Sequence, residues 1–499
     1  MSAVLDALRR QAIDRPDAVA MIGDDALLTY GALAERVDRV AADLFPLQGM
    51  RCGLLLDNGI GWALVDLAAR QAGAVLVPIP LFFSAPQIRH AIETAGVGCL
   101  VTDQAPALVH GVPGGARDVS ALLGQRASLV ELEGGRRPPL PGATGKVTFT
   151  SGTTGNPKGV CLAGASTDRV AQSLLAASAG HAADRHLALL PLATLLENIA
   201  AIDVPILAGA TSVLRPLEAV GLKGSSRLDP RAMLAAIERA DATSIVTVPQ
   251  ILMGLLLAVA SGRPPSKLRL VSVGGAPLSR AVLDRARALG LPVCEGYGLS
   301  EASSVVAFNG PGSGRPGSVG RPLPHVELRF APDGEILVRG SVAEGYLGAA
   351  GGEPQPRPDA FWPTGDLGHL DAQGCLHLDG RKKNMFITSF GRNVAPEWVE
   401  CELTAARSIA QAAVFGEARP WNAAVIVPSG IGDPAADIGK VNDSLPDYAR
   451  VARWLVAAEP FTPMNEMATP NGRLRRDRIF AHYRQALHTL YEDGTADVL

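Results

Sequence analysis

Apolar positions along the chain recur in two alternating periods. Residues 1–12 carry the three-to-four spacing of a short amphipathic helix. Residues 18–22 and 27–30 read as strands joined at Gly23-Asp24-Asp25, a hairpin signal. From 30 to 44 the positions Leu33, Val37, Val40 and Leu44 share one helical face. Strand 52–56, helix 62–72, strand 75–79, helix 85–95 and strand 99–102 follow, a rhythm that predicts parallel βαβ units. It returns as strand 244–248, helix 251–260, strand 268–273 and helix 280–289. Between 319 and 379 the texture changes to short strands with Gly, Pro and Asp turns, as in an antiparallel section. The remainder reads as a small α+β module, and the Pro/Gly-rich stretches 134–145 and 310–324 as loops or linkers. The fold class expected is α/β: a large N-terminal lobe of βαβ-type sheets plus a β section, with a small C-terminal lobe.

At 499 residues the chain is too long for one ordinary domain. Hydrophobic residues at 47% and charged residues at 19% make it globular, and a formal net charge of −3 gives no reason to expect a nucleic-acid partner. The six cysteines are scattered singly, with no Cys/His cluster, so neither a zinc site nor a disulfide framework is indicated. A reducing cytoplasm is the expected compartment. Charges in the N-terminal segment argue against a signal peptide, and no apolar run approaches the ~18–20 residues of a membrane span. Arginine far outnumbers lysine, so an arginine where a lysine is expected has a compositional explanation too.

The densest chemical signal is Val147-Thr-Phe-Thr-Ser-Gly-Thr-Thr-Gly-Asn-Pro-Lys-Gly-Val160. A β-prone run leads into hydroxyls, glycines and one lysine. Glycines let backbone N–H groups approach a phosphate, the hydroxyls add donors, and Lys158 supplies a point charge. No GK[ST] follows at Walker spacing, and a generic glycine turn is the plain alternative. The string Thr150-Ser-Gly-Thr-Thr-Gly-Asn-Pro-Lys-Gly159 resembles the signature loop of the adenylate-forming superfamily, which includes acyl-CoA synthetases. That resemblance implies that Thr150, Ser151, Gly152, Thr153, Thr154, Gly155 and Lys158 cradle the β- and γ-phosphates of ATP. Four further segments are similar to the family's, in its order. Gly274-Gly-Ala-Pro-Leu-Ser279 implies that Gly275 lines the nucleotide and acyl pocket. Gly296-Tyr-Gly-Leu-Ser-Glu301 implies Tyr297 and Gly298 against adenine and Glu301, with Thr154, on Mg²⁺. Trp362-Pro-Thr-Gly-Asp-Leu367 implies Asp366 on the ribose hydroxyls. Asp379-Gly-Arg-Lys-Lys-Asn384 implies Arg381 on ribose and phosphate and Lys383 at a hinge. Residues 1–380 would then form the ATP and acyl domain and 381–499 a mobile lobe.

Segments 190–198 and 389–398 resemble the long-chain fatty acyl-CoA synthetase branch, and no acid stands where an amino-acid amine would be clamped. The resemblance implies activation of a hydrophobic, fatty carboxylic acid to acyl-AMP. Transfer follows to a thiol, either coenzyme A or the phosphopantetheine of an acyl carrier protein, with Gly391 opening the thiol tunnel. Transfer to an amine is the rival. The chain departs from the pattern twice. Thr194 stands where the branch shows His, and in Thr469-Pro-Asn-Gly-Arg-Leu-Arg-Arg476 the acylation lysine is replaced by Arg473. Lys440 is the only lysine after Lys383 and lies far from that string. Three readings of Arg473 stay open. It does the lysine's work as a bidentate cation; adenylation is slowed; or the protein binds nucleotide without turnover. Arg475, Arg476 and Arg478 are either a coenzyme A-binding cluster or a solvated helix start.

Overall fold

The computed structural model describes residues 2–492, leaving aside 47, 105–115, 133–137, 151–156, 224–226, 261, 313, 349–354, 358 and 470–471. The chain divides into two compact units. One comprises Met1–Gly275, Leu289–Arg329 and Leu337–Trp362; the other comprises Ala276–Ala288, Phe330–Ile336 and Pro363–Leu499.

Two sheets organise the first unit. In one, Arg51–Leu55 lies between Val75–Pro78 and Cys99–Thr102, parallel to both, which is the βαβ pattern read from the sequence. Helices Ile60–Ala72 and Ala85–Ala95 make the crossovers. Ser84 and Gln87 close a capping box on the second helix, and Gly96 ends it at φ 60. The same sheet continues through Thr144–Thr150, which turns back antiparallel into Lys158–Ala163. The other sheet has a parallel centre of Arg185–Leu187, Ser244–Thr247, Leu270–Val273 and Val293–Leu299. At one edge it carries the expected hairpin of Val19–Ile22 with Leu27–Thr29, turned by Gly23 N–H donating to the Ala26 carbonyl at 2.8 Å. Helix Tyr30–Leu44 follows directly, capped by Thr29, with Leu33, Val37, Val40 and Leu44 buried as their spacing predicts.

A buried charge network ties these elements together. Arg70 reaches Asp168 and Asp203 at 3.1 Å each, while Lys146 reaches Asp66 at 2.7 Å. Asp168 also accepts from the backbone N–H of Ala3 at 2.7 Å, and Lys146 donates to Asn198. Thus helix Ile60–Ala72, the strand entering the glycine loop, helix Gly164–Ala177 and the π-helical turn Ile199–Asp203 share one set of paired charges.

The second unit holds a three-stranded sheet. Asn422–Pro428 runs antiparallel to Ile409–Phe415 and parallel to Val451–Val456. Val399, Leu403, Val414 and Ile426 form its core with Phe386. Helices Pro396–Ala405, Pro434–Ser444 and Arg476–Glu492 belong to this unit, in keeping with the α+β expectation. In segment 310–324, read as loop, Arg321–Pro322 forms a two-residue strand against Ser304–Phe308. No helix among the described residues is long and apolar enough to cross a membrane.

Candidate active site

In the first unit the strands that flank the glycine loop, Thr144–Thr150 and Lys158–Ala163, pair antiparallel. Thr150 pairs with Lys158 across its mouth. Ser151, Gly152, Thr153, Thr154 and Gly155 lie outside the described residues. Lys158 opens the return strand, and its Nζ stands 5.5 Å from the centroid of the Tyr346 ring, within cation–π range. The Tyr346 hydroxyl donates to Glu301 Oε1 at 2.7 Å. Residues 158 and 301, each singled out by its own motif, are therefore joined through one tyrosine that the sequence reading did not single out.

The backbone around Glu301 is built under constraint. Glu301 sits in the single turn Ser300–Ala302, and the next two residues, Ser303 and Ser304, take φ 54 and 106. Left-handed backbone at consecutive non-glycine residues is costly and persists where surrounding contacts impose it. Gly298 is required here: a Cβ would lie 1.7 Å from the Ser304 carbonyl oxygen. Tyr297 is buried, opposite Ala307 in the strand pair. Gly275 takes φ 84 at the end of the first unit's main segment.

In the second unit, strand Trp362–Leu370 pairs antiparallel with Leu376–Arg381, and the register sets Asp366 opposite Arg381. Arg381 Nε meets Asp366 Oδ1 at 2.6 Å. Two motif residues assigned to the nucleotide are thus a formed ion pair, with Thr364 Oγ1 accepting from the Asp366 N–H at 3.1 Å. Lys383 follows in the turn. Partial desolvation and the Arg381 and Arg473 guanidinia hold its ammonium below the usual lysine range. Arg473 stands in a tight turn before the last helix, its N–H donating to Thr469 Oγ1 at 3.1 Å and its carbonyl accepting from the Thr469 N–H at 2.7 Å. Gly391 takes φ 71 at the tip of the hairpin of Phe386–Ile387 with Asn393–Val394, with open space where a Cβ would stand.

Residues 8–347 match the family model of the AMP-binding enzymes, and residues 383–495 match the C-terminal domain of AMP-binding enzymes. The chain belongs to the AMP-binding enzyme family. Among its relatives, the long-chain-fatty-acid–CoA ligase FadD15 of Mycobacterium bovis is 31% identical over 427 residues, 73% of this chain and 70% of that protein. The feruloyl-CoA synthase of an Amycolatopsis species is 30% identical over 466 residues, 84% and 87% of the two chains. The o-succinylbenzoate CoA synthetase MenE of Bacillus subtilis, solved with its acyl-adenylate OSB-AMP, superposes with a TM-score of 0.76 at 25% identity, covering 95% of this chain and 97% of that one. This AMP-binding enzyme is an AMP-forming acid–thiol ligase.

Of the basic residues at the start of the last helix, Arg476 departs from both sequence readings and Arg478 follows the solvated one. Arg476 is neither a solvated helix start nor a ligand-facing cation. It is forked onto Glu400, with Nη1 to Oε1 at 2.6 Å, and lies 3.7 Å from Glu397. Glu397 also accepts from Asn384, so the turn carrying Lys383, helix Pro396–Ala405 and the start of helix Arg476–Glu492 are knit through Glu397 and Arg476. Arg478 keeps to the surface, 3.6 Å from Glu466. In segment 190–198, Glu197 is fully buried, 3.6 Å from His186.

Proposed function

We propose that this enzyme activates an apolar, long-chain carboxylic acid as its acyl-AMP and passes the acyl group to coenzyme A. The reading is carried by the Lys158–Tyr346–Glu301 cluster beside the mouth of the glycine hairpin. A cation and a carboxylate held on one tyrosine beside that mouth support the binding of a magnesium-bound triphosphate. The donor set fits Mg²⁺. Glu301 would hold the ion together with phosphate oxygens, one carboxylate plus phosphates being an arrangement Mg²⁺ favours. It supplies charge neutralisation of the pyrophosphate.

In the first half-reaction a carboxylate oxygen of the acid attacks the α-phosphorus of ATP and pyrophosphate leaves. Lys158 offsets charge on the leaving group, and Asp366 grips the ribose hydroxyls beside Arg381. Arg473 offsets the mutual repulsion of acid and phosphate, and catalysis is positioning and charge neutralisation. The C-terminal lobe then turns about Lys383. The thiolate of coenzyme A attacks the acyl carbon past Gly391, and AMP leaves. Coenzyme A is favoured over a carrier-bound pantetheine or an amine because the relatives above are named as CoA ligases and synthases.

A fatty acid is favoured by the ligase at 31% identity and by segment 190–198; an aromatic acid is the second reading, favoured by the feruloyl and succinylbenzoate relatives. Thioester formation across a saturated chain-length series and a set of aromatic acids separates the two. Specificity should climb with chain length, since each buried CH₂ contributes ~0.8 kcal/mol. An optimum at an aromatic acid with no response to chain length would overturn the fatty reading.

A further inference from the structure

Tyr346 occupies a position that neither motif accounts for. Its ring carries Lys158 at 5.5 Å, and its hydroxyl donates to Glu301 at 2.7 Å. Its own orientation is fixed by the Trp362 ring, edge-on at 6.0 Å, and by its N–H donating to Gln355 at 2.7 Å. The surrounding strand is tied to both sides of the cluster by backbone bonds. Ala343 N–H donates to the Glu301 carbonyl at 2.7 Å. Glu344 N–H donates to the Cys161 carbonyl at 2.9 Å, and Leu347 N–H to the Gly159 carbonyl at 2.8 Å. Segment 343–347 therefore straps the Glu301 turn to the strand that Lys158 begins. Tyr346 spans the same gap with its side chain.

We propose that Tyr346 is the positioning residue for the ATP–Mg²⁺ site, through two separable parts. Its hydroxyl holds one oxygen of Glu301 so that the carboxylate offers the other to the ion. Its ring holds the Lys158 ammonium near the phosphates. The charges must be set before substrate arrives, because a carboxylate free to rotate, or a flexible lysine left in solvent, costs ordering at the moment of binding. The inference rests on the phosphate and metal roles proposed above for these two residues.

The two parts predict two different defects. In Tyr346→Phe the ring remains and the hydroxyl is lost. Calorimetric binding of a non-cleavable ATP analogue should then require at least about tenfold more Mg²⁺ for half-saturation, the scale of one hydrogen bond to a charged group. Binding of the analogue without metal should be unchanged. Tyr346→Leu removes both contacts, and affinity should fall even without metal. Glu301→Gln is the reference. If it leaves the Mg²⁺ dependence unchanged, the metal role of Glu301 is wrong. If Glu301→Gln shifts it and Tyr346→Phe does not, the positioning role is wrong. A Tyr346→Phe protein that loses thermal stability yet keeps the wild-type Mg²⁺ dependence shows a merely structural tyrosine and likewise overturns the proposal.

Discussion

At the scale of single residues, the account stands on charges that must be where the chemistry develops charge. Lys158→Ala should reduce ATP–pyrophosphate exchange by about tenfold or more, the scale of one preorganised charge; near-normal exchange would remove it from the phosphate site. Arg473 is the sharper case, because the chain departs here from the pattern it otherwise follows. If its guanidinium does the lysine's work, Arg473→Ala should cripple adenylation and spare thioester formation from supplied acyl-AMP. Arg473→Lys should retain adenylation. Equal rates for wild type and Arg473→Ala in the first half-reaction would mark it as a solvated charge. The motif residues themselves were legible because each sits in a local string: Asp366 and Arg381 could be named from sequence, and the hairpin register then made them partners. Tyr346 was not legible. Its partner Glu301 lies 45 positions away, and a Gly-Tyr pair in a β section carries no signal of its own.

At the scale of elements, helices and strands with clean periodicity were foreseen nearly to the residue, as in helix Tyr30–Leu44 and helix Ala85–Ala95. What binds them was not foreseen. Asp66, Asp168 and Asp203 stand in no motif, and only the fold gathers them around Arg70 and Lys146. Removing one side of such a network strands buried charge, so Arg70→Met should cost ~3–5 kcal/mol of stability in the first unit. Thermal or denaturant unfolding reads this. Arg117→Ala, at an exposed pair with Asp43, should cost under about 1 kcal/mol. Equal costs would mean that the network is not stabilising. His325 adds a pH dependence. Burial pushes its imidazole down to about 4, while Nε2 keeps a 2.8 Å bond to the Val305 carbonyl. An unfolded chain takes up that proton near pH 6.5, so between about 6.5 and 4 the unfolded state binds more protons and stability falls as the pH falls. In His325→Gln this portion of the acid slope should vanish. A slope identical to wild type would contradict the assignment.

At the scale of the whole molecule, the motifs fall in two compact units. Lys158, Glu301, Tyr297 and Gly275 belong to the first; Asp366, Arg381, Lys383, Gly391 and Arg473 belong to the second. The family was legible from the order of five motifs. The acid was not, because acyl specificity is set by the shape of a pocket drawn from several distant segments. The central claim is that this chain forms an acyl-adenylate. Its most direct test is exchange of labelled pyrophosphate into ATP, measured without coenzyme A across a panel of carboxylic acids. The account predicts exchange that requires both Mg²⁺ and an acid, strongest with apolar long-chain acids. A protein that binds ATP yet shows no acid-dependent exchange with any member of the panel would contradict it.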